Sequence, residues 1–141
     1  MKLLVCLSIL SLVGCSPRAA RMPVKFGSSA AALQPIESPD KEHVLHLSVN
    51  QSQADPTRYL CVKIDVQNQS GQITHTIQTP ASDGMKWAVG WLNDSTVVLN
   101  SRDIGLRAWK LAATGSVQEL SVTREMTEFG EKVFSKKYRS P

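Results

Sequence analysis

Cysteine, histidine and aromatic residues are all scarce in this chain, and each shortage removes a class of function. The cysteines are Cys6, Cys15 and Cys61, too few for the paired framework that staples small secreted domains. The histidines are His43, His46 and His75. His43 and His46 are three apart, which in a strand sets them on opposite faces and makes a poor start for a zinc site. The glycines never cluster into a phosphate cradle, no Gly-x-Ser-x-Gly elbow occurs, and the aspartates are scattered rather than spaced as a calcium loop. Lysine and arginine number 16 against 12 acidic residues, a formal charge of +4. They form no basic stripe, which argues against a nucleic-acid partner. These residues offer no catalytic group, metal ligand or cofactor site to name.

Long apolar runs are missing too, with one exception. Leu3–Val13 is apolar apart from Ser8 and Ser11, follows Lys2, and leads into Gly14 and Cys15. A charged start, an apolar middle and a small residue at the cut are the order of a secretory signal. The run is too short to remain as a spanning helix, which needs about 20 apolar residues. Leu12-Val13-Gly14-Cys15 resembles the lipobox of bacterial lipoproteins, and the resemblance covers residues 1–16 only. It implies that residues 1–14 are removed, that the Cys15 sulfur takes diacylglycerol, and that the new amino group is acylated. Two or three acyl chains anchor durably where one binds only marginally. In that family an Asp after the cysteine often retains the protein in the inner membrane. Ser16 resembles the outer-membrane default, so the expected partner is the lipid bilayer, with the domain facing the periplasm.

With Cys6 removed and Cys15 lipidated, Cys61 is a single cysteine in a compartment that favours disulfides. It is either a reactive thiol, an intermolecular bridge or, the simplest reading, a small apolar residue in the core. Residues 15–36 contain Pro17, Pro23, Pro35 and a run of small residues without periodicity, and read as a lipidated N-terminus and flexible tether. Its cations Arg18, Arg21 and Lys25 precede any acid, the first being Glu37.

Residues 37–141 read as one β-rich domain, with strands to about residue 122 and a helix over about 123–138. Tyr59–Val66 alternates, with Leu60, Val62, Ile64 and Val66 on one face. Ile73, His75 and Ile77 form a matching face beyond the turn at Asn68–Gly71. The expected class is mainly β: a small antiparallel sheet or sandwich of about six to seven strands with a C-terminal helix. Met126, Phe129 and Val133 fall at helical spacing behind a capping Thr123, although Gly130 weakens that helix.

A duplication runs through the strands. Ser38-Pro39-Asp40, two strands, Ser70-Gly71 and a strand are echoed by Leu92-Asn93-Asp94, two strands, Thr114-Gly115 and a strand. Each copy resembles a β-propeller blade that opens on a Ser-Pro-Asp turn. Two copies are too few to close a propeller, which takes about four to eight.

Trp87 and Trp91 share a strand face, with Trp109 further on. They either form a binding platform for a partner or fill a small core, and core filling is the commoner outcome. Asp103 sits in a turn that either faces a ligand or simply joins two strands. The function expected from all this is a membrane-anchored periplasmic lipoprotein. Its small non-catalytic β domain would bind a protein or envelope component, for instance as an immunity-type inhibitor. The alternatives are an accessory subunit of an envelope complex, or a small envelope hydrolase in which His75, His46 or Cys61 meets carboxylates in a cleft.

Overall fold

The computed structural model describes residues 30, 33–51 and 59–139. The leader, Cys15, most of the expected tether and residues 52–58 lie outside those residues. Among the described residues eight strands form two separate antiparallel sheets of four, each in simple sequential order. The first sheet holds β1 (Ile36–Glu37), β2 (His43–Gln51), β3 (Leu60–Asn68) and β4 (Ile73–Ser82). The second holds β5 (Trp87–Asn93), β6 (Thr96–Ser101), β7 (Gly105–Leu111) and β8 (Val117–Leu120). One helix, α1 (Arg124–Tyr138), follows. Among the described residues no helix is long and apolar enough to cross a membrane.

The mainly β expectation holds, while its strand count does not. The unforeseen strand is β1, whose two residues are too short to show alternation. It pairs Ile36 with Leu45 and Glu37 with Val44. Ala30, inside the expected tether, is fully buried in the core, so the chain joins the domain earlier than its composition indicates.

Each sheet contains one of the two three-strand copies seen in the sequence plus one leading strand, β1 or β5, and the hairpins show the likeness. In Asn68–Gln72 the Gly71 N–H donates to the Asn68 carbonyl (2.9 Å) and the Asn68 N–H to the Gln72 carbonyl (3.0 Å). In Ala112–Ser116 the Gly115 N–H donates to Ala112 (3.0 Å) and the Ala112 N–H to Ser116 (2.9 Å). Both turns need a residue with positive φ at the fourth position, and Gly71 (φ 80°) and Gly115 (φ 88°) supply it.

The sheets face one another. Leu45, Val62, Ile64, Val66 and Ile77 of the first pack against Trp87, Val89, Trp91, Val97, Leu99 and Trp109 of the second. Polar ties cross the same gap. The Trp91 indole N–H donates to the Ile36 carbonyl at 3.0 Å, and His75 Nε2 lies 2.8 Å from the Ala112 carbonyl. Ile73 does not join the inner face as alternation suggests. A bulge between Val66 and Gln67 breaks the register and leaves Ile73 52% exposed.

The second sheet's other face carries Val98, Ala108, Leu92, Leu106 and Leu120, and α1 lies across it. Thr123 caps the helix by accepting the Met126 N–H at 3.3 Å. Its buried stripe is Met126, Gly130 and Phe134, with Phe129 and Val133 half-buried beside it. The two glycines of this contact are spacers. A methyl on Gly90 would come within 3.2 Å of Phe129 and 3.3 Å of Val133, and one on Gly130 would run into Leu106. The glycine that weakens the helix in sequence therefore lets it lie flat on the sheet.

Candidate functional site: a groove along the edge of β5

Among the described residues strand β5 pairs with β6 alone, so its other edge is an end of the second sheet. Its side chains are used up on both faces, Trp87, Val89 and Trp91 toward the first sheet and Ala88 and Gly90 toward the helix. What the edge has left is backbone. The Lys86 carbonyl accepts from Arg102, so by antiparallel alternation Ala88 and Gly90 face β6. Trp87, Val89 and Trp91 then turn their N–H and C=O groups outward.

The first of these outward pairs is met by a single side chain. The Trp87 N–H donates to the Tyr138 hydroxyl at 3.1 Å, and that hydroxyl donates back to the Trp87 carbonyl at 2.8 Å. Lys137 Nζ donates to the same carbonyl at 2.8 Å and sits 3.7 Å from the centroid of the Trp87 ring. Val89 and Trp91 have no such partner for their outward backbone groups among the described residues.

A groove of about 540 Å³ runs along this edge, within the usual range for ligand-binding clefts. One wall is Leu33, Ile36 and Pro39 from the first sheet's leading segment. The other is Phe129 and Val133 from α1, with Lys136 and Lys137 at its end. Glu37 also lines the groove, next to the Ile36 carbonyl that holds Trp91. Burial pushes the Lys137 ammonium below its ordinary pKa, and the Asp83 carboxylate partly counteracts this. Asp83 itself is buried. One carboxylate oxygen accepts the Ala30 N–H at 3.1 Å, and the other has no partner among the described residues. The site is thus an apolar slot with a polar backbone floor and a cationic end, suited to binding.

The residues singled out in the sequence separate here. Trp87, Trp91 and Trp109 are 0%, 5% and 6% exposed, so the indoles fill the core between the sheets and form no exposed platform. Trp87 and Trp91 nevertheless border the groove, whereas Trp109 does not. Asp103 belongs to the turn. Its carboxylate accepts the Ser82 N–H at 2.8 Å and the Ser101 hydroxyl, tying the β6–β7 connection to the end of β4. Cys61 is buried, at 5% exposure, and Cys15 lies outside the described residues.

The histidines occupy different surroundings. His75 is buried between the sheets, with Thr74 Oγ1 3.0 Å from its Nδ1. His43 lies 6.3 Å from the Trp91 ring, and His46 stands opposite Asp65 on the first sheet's outer face. Among the described residues no three His, Cys, Asp or Glu side chains gather as a metal site.

No known protein decides the matter. No family, curated protein or solved structure matches the chain. The helix residues of the groove, Phe129, Val133, Lys136 and Lys137, were invisible as site residues in the sequence, where they read as one helix's ordinary faces. Of the site residues singled out in the sequence, only Trp87 and Trp91 border the groove.

Proposed function

We propose that this chain is a lipid-anchored envelope protein whose β domain binds a protein partner. The observation that carries the reading is Leu12-Val13-Gly14-Cys15 placed directly after a short apolar run. Acyl chains on Cys15 hold the domain at the bilayer, with Ser16 favouring the outer membrane and the periplasmic side. The β5 groove supports the binding half, because an apolar centre rimmed by polar groups is the make-up of a protein interface. An immunity-type inhibitor and a subunit of a larger envelope assembly are the two finer forms of this function.

Growth of producing cells with a palmitate analogue tests the anchor. Wild type takes up label and sediments with membranes, while Cys15→Ala does neither. A wild-type product with an unmodified thiol at residue 15, or with residues 1–14 still attached, would refute it. Crosslinking in intact cells then separates the finer forms by whether the captured protein is resident in the envelope or arrives from outside.

A further inference from the structure

We infer that the free edge of β5 receives an extended segment of a partner protein as a fifth strand of the second sheet, with an acidic side chain set at the Lys136–Lys137 end. This names the binding mode of the groove and rests on the reading that the domain binds protein. Three observations select that occupant. First, Val89 and Trp91 present outward N–H and C=O groups with no partner among the described residues, and a peptide backbone in extended form answers both groups at once.

Second, the edge already accepts this kind of partner one step away. The Tyr138 hydroxyl takes the Trp87 N–H and returns a hydrogen bond to its carbonyl, as a neighbouring strand would. It stops the edge at Trp87, and the next two outward pairs have no partner among the described residues. Third, the slot is apolar on both walls, Leu33 and Ile36 facing Phe129 and Val133. Side chains leaving an inserted strand alternately to left and right would both meet hydrocarbon.

Charge argues against the chain's own N-terminal segment as the occupant. The groove's helix wall ends in Lys136 and Lys137, and burial already disfavours the Lys137 cation, so a carboxylate beside it would be stabilised. Residues 16–29 contain Arg18, Arg21 and Lys25 and no acid. They would add like charge at that end. An acidic, otherwise apolar segment from another protein fits where this one does not.

The test uses the full chain in detergent, first alone and then with a random heptapeptide library displayed on phage. Hydrogen exchange on the chain alone should show fast Val89 and Trp91 amides between slow Ala88 and Gly90 amides. Selection should enrich apolar heptapeptides with one Asp or Glu. A synthetic copy of the leading sequence should slow the Val89 and Trp91 amides at least tenfold. The same copy N-methylated at alternate amides should lose that protection. Lys137→Glu should weaken the acidic peptide several-fold, and Lys63→Glu, on the far sheet, should leave it unchanged.

Protection of Val89 and Trp91 in the chain alone would overturn the proposal. If that protection fades on dilution a second copy fills the edge, and if it persists the chain's own N-terminal segment does. Enriched peptides that protect other amides, or no enrichment at all, would also overturn it. A protein captured in cells by a face other than the groove would leave the binding function standing and remove only strand addition.

Discussion

The two sheets are built on one plan and finished differently. Both are four-stranded meanders with the same glycine turn before the last strand, and both give one apolar face to a shared core. Their outer faces diverge. The first sheet's carries His46, Ser48, Lys63, Asp65, Gln67 and Thr76, knit by a Lys63–Asp65 ion pair at 2.9 Å and a Thr76 hydroxyl donating to Asp65 at 2.7 Å. The second sheet's is made of small and apolar residues and lies under α1. A polar outer face can end at water, whereas an apolar one needs a third layer. That layer does more than cover the sheet. By ending at Tyr138 beside Trp87, it turns the edge of β5 into one side of a groove.

The contrast can be broken by charge in the shared core. Ile64→Asp places a carboxylate at a fully buried position of β3 and should cost at least about 4 kcal/mol. Loss of both sheets together in one denaturation transition is expected, because the core belongs to both. Unchanged thermal stability would mean that the strand faces are assigned the wrong way round.

Removing the helix contact sharpens the difference between the sheets. Phe134 is 5% exposed, and Phe134→Ala should cost about 3–5 kcal/mol. Amide exchange should quicken in β5 and β6 first and in β2 and β3 last. Equal acceleration everywhere would show that the helix supports both sheets alike. A smaller loss belongs to the polar tie between them. His75→Ala gives up its contact with the Ala112 carbonyl and should cost about 1–3 kcal/mol, measured by urea unfolding.

The outer face of the first sheet should hardly respond. Lys63→Ala removes the better exposed half of the Lys63–Asp65 pair and should shift stability by no more than about 1 kcal/mol. The equivalent face of the second sheet would not tolerate the reverse change, a charge at Val98.

The finest test concerns pH. The folded pKa of Lys137 lies below its ordinary 10.5 because of burial, so between the two values the unfolded chain binds more protons. Stability contributed by this group therefore rises with pH across that window. A stability profile of wild type minus Lys137→Met should climb toward pH 10.5. A flat difference would place that ammonium in water, and a falling one would mean that the Asp83 carboxylate outweighs burial.

How much of this was legible beforehand follows from the range of each signal. Alternation in Leu60–Val66 and the glycines at 71 and 115 are local, and they gave the strands, the hairpins and the duplication. Thr123 and the spacing of Met126 gave the helix. Ile73 was misplaced because a bulge depends on the partner strand, and β1 was missed because two residues have no period. The groove needs residues 33–39, 87–91 and 129–137 brought together, and no periodicity within one segment carries that information. The tryptophans show the same limit. Their spacing put them on one face but could not say that the first sheet would cover it.

The central claim is that the slot between β1 and α1 is where an anchored domain meets its partner. A photo-crosslinking p-benzoylphenylalanine at position 133, inside the groove, compared in intact cells with one at position 63 on the first sheet's outer face, tests it most directly. The account predicts one discrete protein adduct from position 133, none from 63, and loss of the adduct in Cys15→Ala. Adducts from position 63 with none from 133, or equal yields from both, would contradict it.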